Sequence, residues 1–449
     1  MADEIKPKLR TFDLTMIVVG LVIGMGIFRT PPEVAGKAGS SLIFFSAWIL
    51  GAVISMIGAL TFSEIGSRYH GAGGFYKIFS YCYHPAFAFM VNWITVISNA
   101  ASTAGVAIMG AEYITPILLP DMERGKAIAL VTVTSVVILY IVNMIGIKVS
   151  AKLLNVLMII KLSMLLILIS AMFLVTGQQT EAPVEISHTS SEWWKAFALC
   201  FVPVFFTYGG YQQTMNFGGD VPNASKALPR AIVYGICIVL CVYLLVNISY
   251  VKVLGFGQLQ NTTTLASDIS GLMFGSIAAK LVSVIMFFSV MAYVNVSILS
   301  NPRVYYAMAE DKVLPSFLKK VNQKTQVQEW GVSLFCAFIL LTLFLISSFQ
   351  KILEYVMFFD SISLVAGAAA IFILRSRKTG ENGNDGVFKM KGYPYLPALY
   401  ILVYMGVNAS VLIANPHAAL WGFILFISGW PLFYIIRRMI AGNKTNSMS

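Results

Sequence analysis

Charged side chains are scarce in this chain of 449 residues. Only 11% of the residues are Asp, Glu, Lys or Arg, whereas 58% are hydrophobic, and the mean hydropathy is +0.78. Soluble globular domains carry about 25% charged residues, so the deficit excludes an ordinary soluble protein. Because a helix needs about 20 apolar residues to cross a hydrocarbon core of roughly 30 Å, we expect nearly the whole chain to lie in a membrane.

Cysteine and histidine are also few, and neither forms a pattern typical of a metal or catalytic site. The five cysteines lie in or beside apolar runs, and the four histidines fall in connections or at the ends of runs. Metal sites require clusters of such residues at short spacing, and the connections are too short to hold a soluble catalytic domain. We therefore predict that the protein is not an enzyme and uses no metal or cofactor.

The apolar residues fall into twelve runs, which predict an all-α membrane protein with twelve transmembrane helices. The largest polar segments, around residues 301–330 and 375–394, are short and basic. The runs lie near residues 13–35, 41–62, 85–111, 127–147, 152–175, 196–217, 231–251, 273–300, 331–348, 352–374, 395–414 and 418–436.

The net charge of +11 comes from 31 Lys and Arg against 20 Asp and Glu. The basic residues are spread over short connections instead of one basic face, so we predict no nucleic-acid partner. When the connections are assigned alternately to the two sides of the membrane, most of the basic residues fall on the side of the N-terminus. By the positive-inside rule, we predict a multi-pass protein of the plasma membrane, in contact with the lipid bilayer and with both termini in the cytoplasm.

Two of the predicted helices contain closely spaced glycines. Residues 18–28 read VVGLVIGMGIF in the first run, and residues 205–211 read FFTYGGY in the sixth. Each glycine costs about 1 kcal/mol in a helix interior, and glycine-interrupted segments at corresponding positions of two halves indicate a transporter binding site. The alternative is that these glycines only allow the helices to pack closely.

A break in a membrane helix suits a zwitterionic ligand. The N–H groups at the start of a half-helix favour an anion, and the carbonyls at the end of the preceding half favour a cation. We therefore expect the carboxylate of an amino acid on the N–H groups of residues 24–28, and its ammonium on the carbonyls around 19–23 and 205–208. No charged side chain is required for this mode of binding.

Five groups of residues on these runs form motifs in an order that is found in a known family. The motifs are Gly24-Met25-Gly26-Ile27-Phe28; Glu64-Ile65-Gly66 with Ala72-Gly73-Gly74-Phe75-Tyr76; Phe206-Thr207-Tyr208-Gly209-Gly210; Leu228-Pro229-Arg230-Ala231-Ile232; and Val294-Asn295-Val296-Ser297 with Arg303-Val304-Tyr305-Tyr306. On these motifs the chain resembles the amino acid-polyamine-organocation transporters, and in particular their L-type amino acid transporter branch. The resemblance spans residues 20 to about 315.

The resemblance implies a LeuT-type fold, in which two groups of five helices are inverted repeats and helices 1 and 6 are broken. It also implies alternating access without sodium. The chain then divides into a cytoplasmic N-terminus 1–12, a first repeat 13–175, a second repeat 196–374, helices 11 and 12 in 395–436, and a cytoplasmic tail 437–449.

The resemblance also assigns a substrate site to helices 1, 6 and 8. Phe206 is implied to be the aromatic gate over the substrate, although it could also be a core aromatic residue. Asn295 lines the pocket or only bonds to a neighbouring helix, and Met25 replaces the serine that is usual in the family. The expected substrate-binding residues are Ile23, Gly24, Met25, Gly26, Ile27, Phe206, Tyr208, Gly209 and Asn295.

Lys161 is a charged residue that the sequence predicts well inside a membrane span. It follows Lys152 by about 13 Å along a helix, and a charge at that depth is a functional candidate, unless the lysine snorkels to the surface. The resemblance matches Lys161 with the conserved lysine of helix 5, near helices 1 and 8, where sodium sits in sodium-coupled relatives. Its ammonium could replace a cation there, or a desolvated lysine could lose its proton and couple transport to protons.

Arg29 and Asp360 are expected at similar depths on the outer side of the membrane. We hypothesise that they pair as an extracellular gate, as a comparable Arg and Asp do in LeuT-type carriers. The alternative is that Arg29 reaches outer water and Asp360 bonds to backbone or solvent.

The resemblance therefore implies sodium-independent transport of neutral L-amino acids, by exchange. Cationic substrates are disfavoured, since the predicted pocket helices 1, 3, 6 and 8 carry no acidic residue in mid-span. The alternatives are a proton-coupled symporter and a sensor that binds an amino acid without moving it. Residues 112–126 contain no cysteine, so no disulfide-linked heavy subunit is expected as a partner.

Overall fold

The chain folds into long helices joined by short connections. We describe a computed structural model over residues 7–24, 26–71, 73–174, 190–262, 265–345, 349–381, 386–414 and 416–445. Two short 3-10 turns, at Tyr211–Asn216 and Ser316–Lys319, interrupt the helical pattern. The expectation of an all-helical protein is confirmed for these residues.

Eight helices make up the first half of the chain. They are α1 (Thr11–Val22), α2 (Gly26–Ala38), α3 (Ser41–Arg68), α4 (Gly74–Cys82), α5 (Pro85–Leu118), α6 (Arg124–Ile145), α7 (Ile147–Leu174) and α8 (Ser190–Tyr208).

Eight more follow in the second half. They are α9 (Ala224–Leu254), α10 (Phe256–Leu259), α11 (Leu265–Ser300), α12 (Pro302–Glu310), α13 (Glu329–Leu345), α14 (Phe349–Ser376), α15 (Tyr395–Ala414) and α16 (Pro416–Thr445).

Eight segments within the described residues are long and apolar enough to cross a membrane. Two shorter apolar helices, Glu329–Leu343 and Tyr395–Ser410, accompany them. The multi-pass membrane character of the chain agrees with the sequence, whereas the full count of twelve spans stays a prediction. The eight segments are Thr11–Ala38, Ser41–Arg68, Pro85–Leu118, Arg124–Ile145, Ile147–Leu174, Ala224–Leu254, Lys280–Glu310 and Gly422–Ile440.

Helix α1 lies at the centre of the bundle. It packs against α7, α9 and α11, and apolar residues on several sides of it, such as Leu14, Ile17 and Val18, are fully buried. A helix that is apolar all round is a buried helix. By contrast, α6 exposes Ile138 and Ile141 on its outer face, where lipid would contact them.

Two ionic clusters, Glu64 with Arg68 and Arg375 and Asp220 with Arg303, hold the connections at one end of the bundle. The carboxylate of Glu64 accepts hydrogen bonds from Arg68 at 2.7 Å and from Arg375 at 2.7 and 2.8 Å. The guanidinium of Arg303 donates to the carboxylate of Asp220 at 2.6 and 3.1 Å. Because every member is fully hydrogen-bonded to an opposite charge, these pairs offset much of the desolvation cost of burial.

Candidate functional site

The two halves of the first membrane segment meet at residues 22–26. Helix α1 ends at Val22, the N–H of Gly24 donates to the carbonyl of Val22 at 2.8 Å, and α2 begins at Gly26. Helix ends leave up to four N–H groups and four carbonyls without partners inside the helix. The site therefore presents carbonyls from one half and N–H groups from the other. Met25 lies outside the described residues.

Two side chains from other helices donate to the last carbonyls of α1. The ammonium of Lys161 on α7 donates to the carbonyl of Ile23, and the hydroxyl of Tyr243 on α9 donates to the carbonyl of Val22 at 3.1 Å. Both donors are fully buried. Within the described part of the chain, no acidic side chain forms an ion pair with Lys161, so its charge is directed at the helix end, where the dipole is negative.

Helix α8 contacts both halves of this segment near its own end. Gly210 has a φ of +113°, and a Cβ added there would lie 2.4 Å from the carbonyl oxygen of Leu21. A Cβ added at Gly26 would lie 2.8 Å from the side chain of Thr207. Gly210 is therefore required because two backbones approach closely there, and Gly26 because the side chain of Thr207 occupies the space that a Cβ would need.

Phe206, Tyr208 and Gly209 differ in how much of each is available to a ligand. The ring of Phe206 is half-buried, and Gly209 is also partly accessible. Tyr208 is fully buried, its ring packs at 5.2 Å from the ring of Tyr243, and its hydroxyl donates to the carbonyl of Trp48 at 3.3 Å. Of these three residues, Phe206 is the side chain that remains accessible beside the break.

Asn295 bonds to neighbouring helices, which is the second of the two roles considered for it. Its side-chain oxygen accepts from the amide of Asn143 at 2.9 Å, and its amide donates to the carbonyl of Ser150 at 3.2 Å. The residue is fully buried. Its polar atoms therefore join α6, α7 and α11.

Tyr293 is a residue of the site that the sequence analysis missed. A Cβ added at Gly24 would lie 3.4 Å from the ring of Tyr293, so the ring lines the break. Its hydroxyl lies 3.3 Å from the hydroxyl of Ser102 on α5. Residues two apart lie on nearly opposite faces of a helix, which explains why Tyr293 reaches the break while Asn295 does not. The sequence feature that could have identified Tyr293 is its position two residues before Asn295 of the fifth motif.

The two residues of the hypothetical gate occupy different environments. Arg29 is exposed on α2, and Asp360 is half-buried on α14. Asp360 lies within electrostatic range of the hydroxyls of Tyr293 and Tyr404. The carboxylate of Asp360 therefore lies near these two tyrosines, and its pairing with Arg29 stays a prediction.

The groups around the break are suited to binding, not to covalent chemistry. They consist of backbone N–H groups and carbonyls, the hydroxyls of Ser102 and Tyr293, and the ammonium of Lys161. Among the described residues, no group of three or more His, Cys, Asp or Glu is arranged to hold a metal ion. Such a set can hold a small zwitterion by its charged ends.

The chain matches known transporters over nearly its whole length. A family model described as amino acid permease matches residues 9–436. The chain is 29% identical to the serine/threonine exchanger SteT of Bacillus subtilis, over 95% of this chain and 96% of the relative. It is 24% identical to the human cystine/glutamate transporter, over 96% of this chain and 85% of the relative.

A third relative is the large neutral amino acids transporter small subunit 2 of Rattus norvegicus. It is 24% identical over 93% of this chain and 78% of the relative. The family and the relatives are transporters and not enzymes, which confirms the expectation that no catalytic reaction takes place at this site.

We predict that Gly210→Ala destabilises the fold, whereas Gly209→Ala is tolerated. The added methyl at position 210 meets the Leu21 carbonyl and is held at a positive φ, but at position 209 the nearest atoms are 3.4 and 3.5 Å away. Strain of this kind costs about 1–3 kcal/mol. Thermal denaturation of both purified variants, followed by size-exclusion chromatography, measures the effect. Equal thermal stability of the two variants would show that the close approach is unimportant.

Proposed function

The chain belongs to the amino acid permease family, and from this premise we propose that it exchanges neutral L-amino acids across the plasma membrane without sodium. Amino acid transport follows from the family and from the relatives on its whole length. The finer proposal rests on one observation above all. The buried ammonium of Lys161 already donates to the end of α1.

We propose that the substrate binds at the break by its two charged ends. Its carboxylate accepts hydrogen bonds from the first N–H groups of α2, at Gly26, Ile27 and Phe28, because they have no partner inside the helix. Its ammonium binds carbonyls at the end of α8. The substrate side chain then lies against Phe206 and Tyr293.

Sodium independence follows from the position of Lys161 in this proposal. A helix end with negative dipole is stabilised by a cation, and a lysine on a packed neighbouring helix supplies that cation permanently. A bound sodium ion would compete with a covalently held ammonium for the same carbonyl of Ile23. Transport therefore needs no sodium gradient, and the driving force is the gradient of a second amino acid.

The neutral substrate class is supported by the groups that face the break. Phe206, Tyr293 and the hydroxyl of Ser102 offer apolar surface and a neutral hydrogen-bonding group to the side chain of the substrate. Two of the three relatives reported above are named for neutral substrates, serine and threonine or large neutral amino acids. The similarity of this chain to these relatives supports neutral amino acids as its substrates.

We further propose twelve spans in the LeuT-type arrangement, with both termini in the cytoplasm and no disulfide-linked heavy subunit. The helix ends at Val22 and Tyr208, each beside closely spaced glycines, support breaks in the first and sixth membrane spans. The absence of cysteine from residues 112–126 supports a carrier that works without a disulfide-linked partner.

Proton-coupled symport is the second candidate, since Lys161 also supports it. A buried lysine without an ion-pair partner in the described part of the chain is a group that could release and regain a proton during transport. A non-transporting sensor would use the same binding groups without flux. The three functions differ in what drives movement of the amino acid.

We predict uptake of neutral amino acids only into proteoliposomes that are preloaded with amino acid. The assay uses purified protein, radiolabelled amino acids and sodium-free buffer, with empty vesicles as the control. Because exchange requires a substrate on each side, empty vesicles should accumulate little label. Uptake into empty vesicles that follows an imposed pH gradient would establish symport instead, and saturable binding without any flux would establish a sensor.

We predict that replacing Lys161 slows exchange roughly tenfold or more, because a hydrogen bond to a charged group contributes about 1.5–3 kcal/mol. Lys161→Gln and Lys161→Met are compared with Lys152→Gln, which removes an exposed lysine from the same helix. Equal losses in the first two assign the role to the charge. Exchange at the unmodified rate in both variants would reject a role for Lys161.

We predict that Arg29→Gln and Asp360→Asn each slow exchange if they form the outer gate, because either change removes one charge of the pair. Lys37→Gln, which also removes a positive charge from α2, serves as the control and should exchange at the normal rate. Initial rates in preloaded vesicles provide the measurement. The gate hypothesis fails if both Arg29→Gln and Asp360→Asn keep normal rates.

A further inference from the structure

A cleft opens where α16 reaches the end of its membrane segment. Its volume is about 550 Å³, and it lies between the last turns of α16 and the connection that follows α12. Its apolar lining residues include Leu314, Ile436, Met439 and Ile440. Lys312 and Lys319 also line it.

The charge of the cleft favours an anion. Lys312 and Lys319 take part in no ion pair with any residue that the structure describes. Glu310 also lines the cleft, but its carboxylate lies 2.8 Å from the ammonium of Lys77, which also contacts Asp311 at 2.5 Å. Burial lowers the pKa of Lys77, but hydrogen bonds to these two carboxylates outweigh it and raise the pKa above its ordinary value. The acidic residues therefore hold a charged partner of their own.

Further positive charge lies on the same turns of α16, on residues that do not line the cleft. Arg437 and Arg438 follow Ile436 on α16, and both are exposed. Basic residues between transmembrane helices at the cytoplasmic surface form sites for the headgroups of acidic lipids. The positive-inside distribution predicts that this end of the molecule faces the cytoplasm.

The surroundings of the cleft are those of a membrane interface. The apolar segment Gly422–Ile440 ends at the cleft, and the side chain of Met439 is 66% exposed. Phe317 and Trp330 are 43% and 56% exposed, and their rings pack edge to face at 5.5 Å. Aromatic residues gather at the level of lipid headgroups, so we infer that the cleft lies at headgroup depth.

Lys312 occupies a backbone position that would suit glycine better. It follows the end of α12 with a φ of +60°, and the N–H of Val313 donates to the carbonyl of Met308 at 2.9 Å, as in a Schellman helix end. Glycine takes this conformation without strain. At this position the chain has a lysine that lines the cleft, although glycine would be less strained there.

We propose that this cleft binds one anionic phospholipid. Lys312 and Lys319 hold the phosphate of the headgroup, and one acyl chain lies along Ile436, Met439 and Ile440. An anionic lipid fits this lining, since it combines two lysines that form no ion pair with any described residue and apolar side chains at the end of a membrane segment. The proposal requires that the protein lies in a membrane but does not depend on which amino acid it carries.

Native mass spectrometry of the purified full-length protein tests this site. The protein is titrated with phosphatidylglycerol and with phosphatidylcholine of the same acyl chains. The double variant Lys312→Gln, Lys319→Gln should bind the first phosphatidylglycerol roughly 30-fold more weakly, because each lysine near the headgroup contributes to attraction of an anionic lipid. The control Lys148→Gln, Lys152→Gln removes two exposed lysines that do not line the cleft, and its affinity should be unchanged.

A second variant tests the apolar residues that line the cleft. Met439→Asn keeps every charge and should weaken binding of phosphatidylglycerol without affecting binding of glycerol phosphate. Equal affinity for phosphatidylglycerol and phosphatidylcholine, or normal affinity in the lysine double variant, would overturn the proposal. Displacement of the lipid by an equal concentration of inorganic phosphate would also overturn it, since the cleft would then be a site for a soluble anion.

Discussion

A helix that ends inside a membrane must find partners for its last carbonyls, and this requirement organises the centre of the molecule. Water is absent from the hydrocarbon region, so the partners must come from the protein. At the end of α1, Lys161 and Tyr243 supply them from α7 and α9. The break therefore fixes the relative positions of three helices, and the same break exposes the N–H groups to which we assign the substrate carboxylate.

The close approach of α8 adds a second constraint at the same place. Gly210 brings backbone against the Leu21 carbonyl, and Thr207 meets the start of α2 at Gly26. Both halves of the first segment are thus in contact with one end of α8. A change in the position of α8 must be transmitted to α1 and α2, because closely packed atoms cannot absorb the movement.

The sequence predicts features that depend on backbone and composition, such as helix interruptions. It does not predict which side chains of a helix face the site. The glycines at 20, 24, 26, 209 and 210 predict interruptions close to where helices α1 and α8 end. The depth of Lys161 along its helix predicts a buried charge, and the lysine is buried. By contrast, nothing in the sequence distinguishes the direction of Tyr293 from that of Asn295, because this depends on the rotation of α11 about its axis. The burial of Tyr208 depends in the same way on Trp48 and Tyr243, which come from distant parts of the chain.

Helix α1 is held at both ends, and this bears on how a carrier of this design would open. Before its first turn, the backbone N–H groups of Lys8 and Leu9 each donate to the carbonyl of Asp220 at 2.9 Å. The carboxylate of Asp220 is in turn paired with Arg303, which follows α11. A tilt of α1 that opened this end must therefore separate α1 from Asp220 or carry Asp220 away from Arg303. The second course would leave a buried guanidinium unpaired, which costs several kcal/mol, so the backbone contacts of Lys8 and Leu9 are the weaker link and would break first.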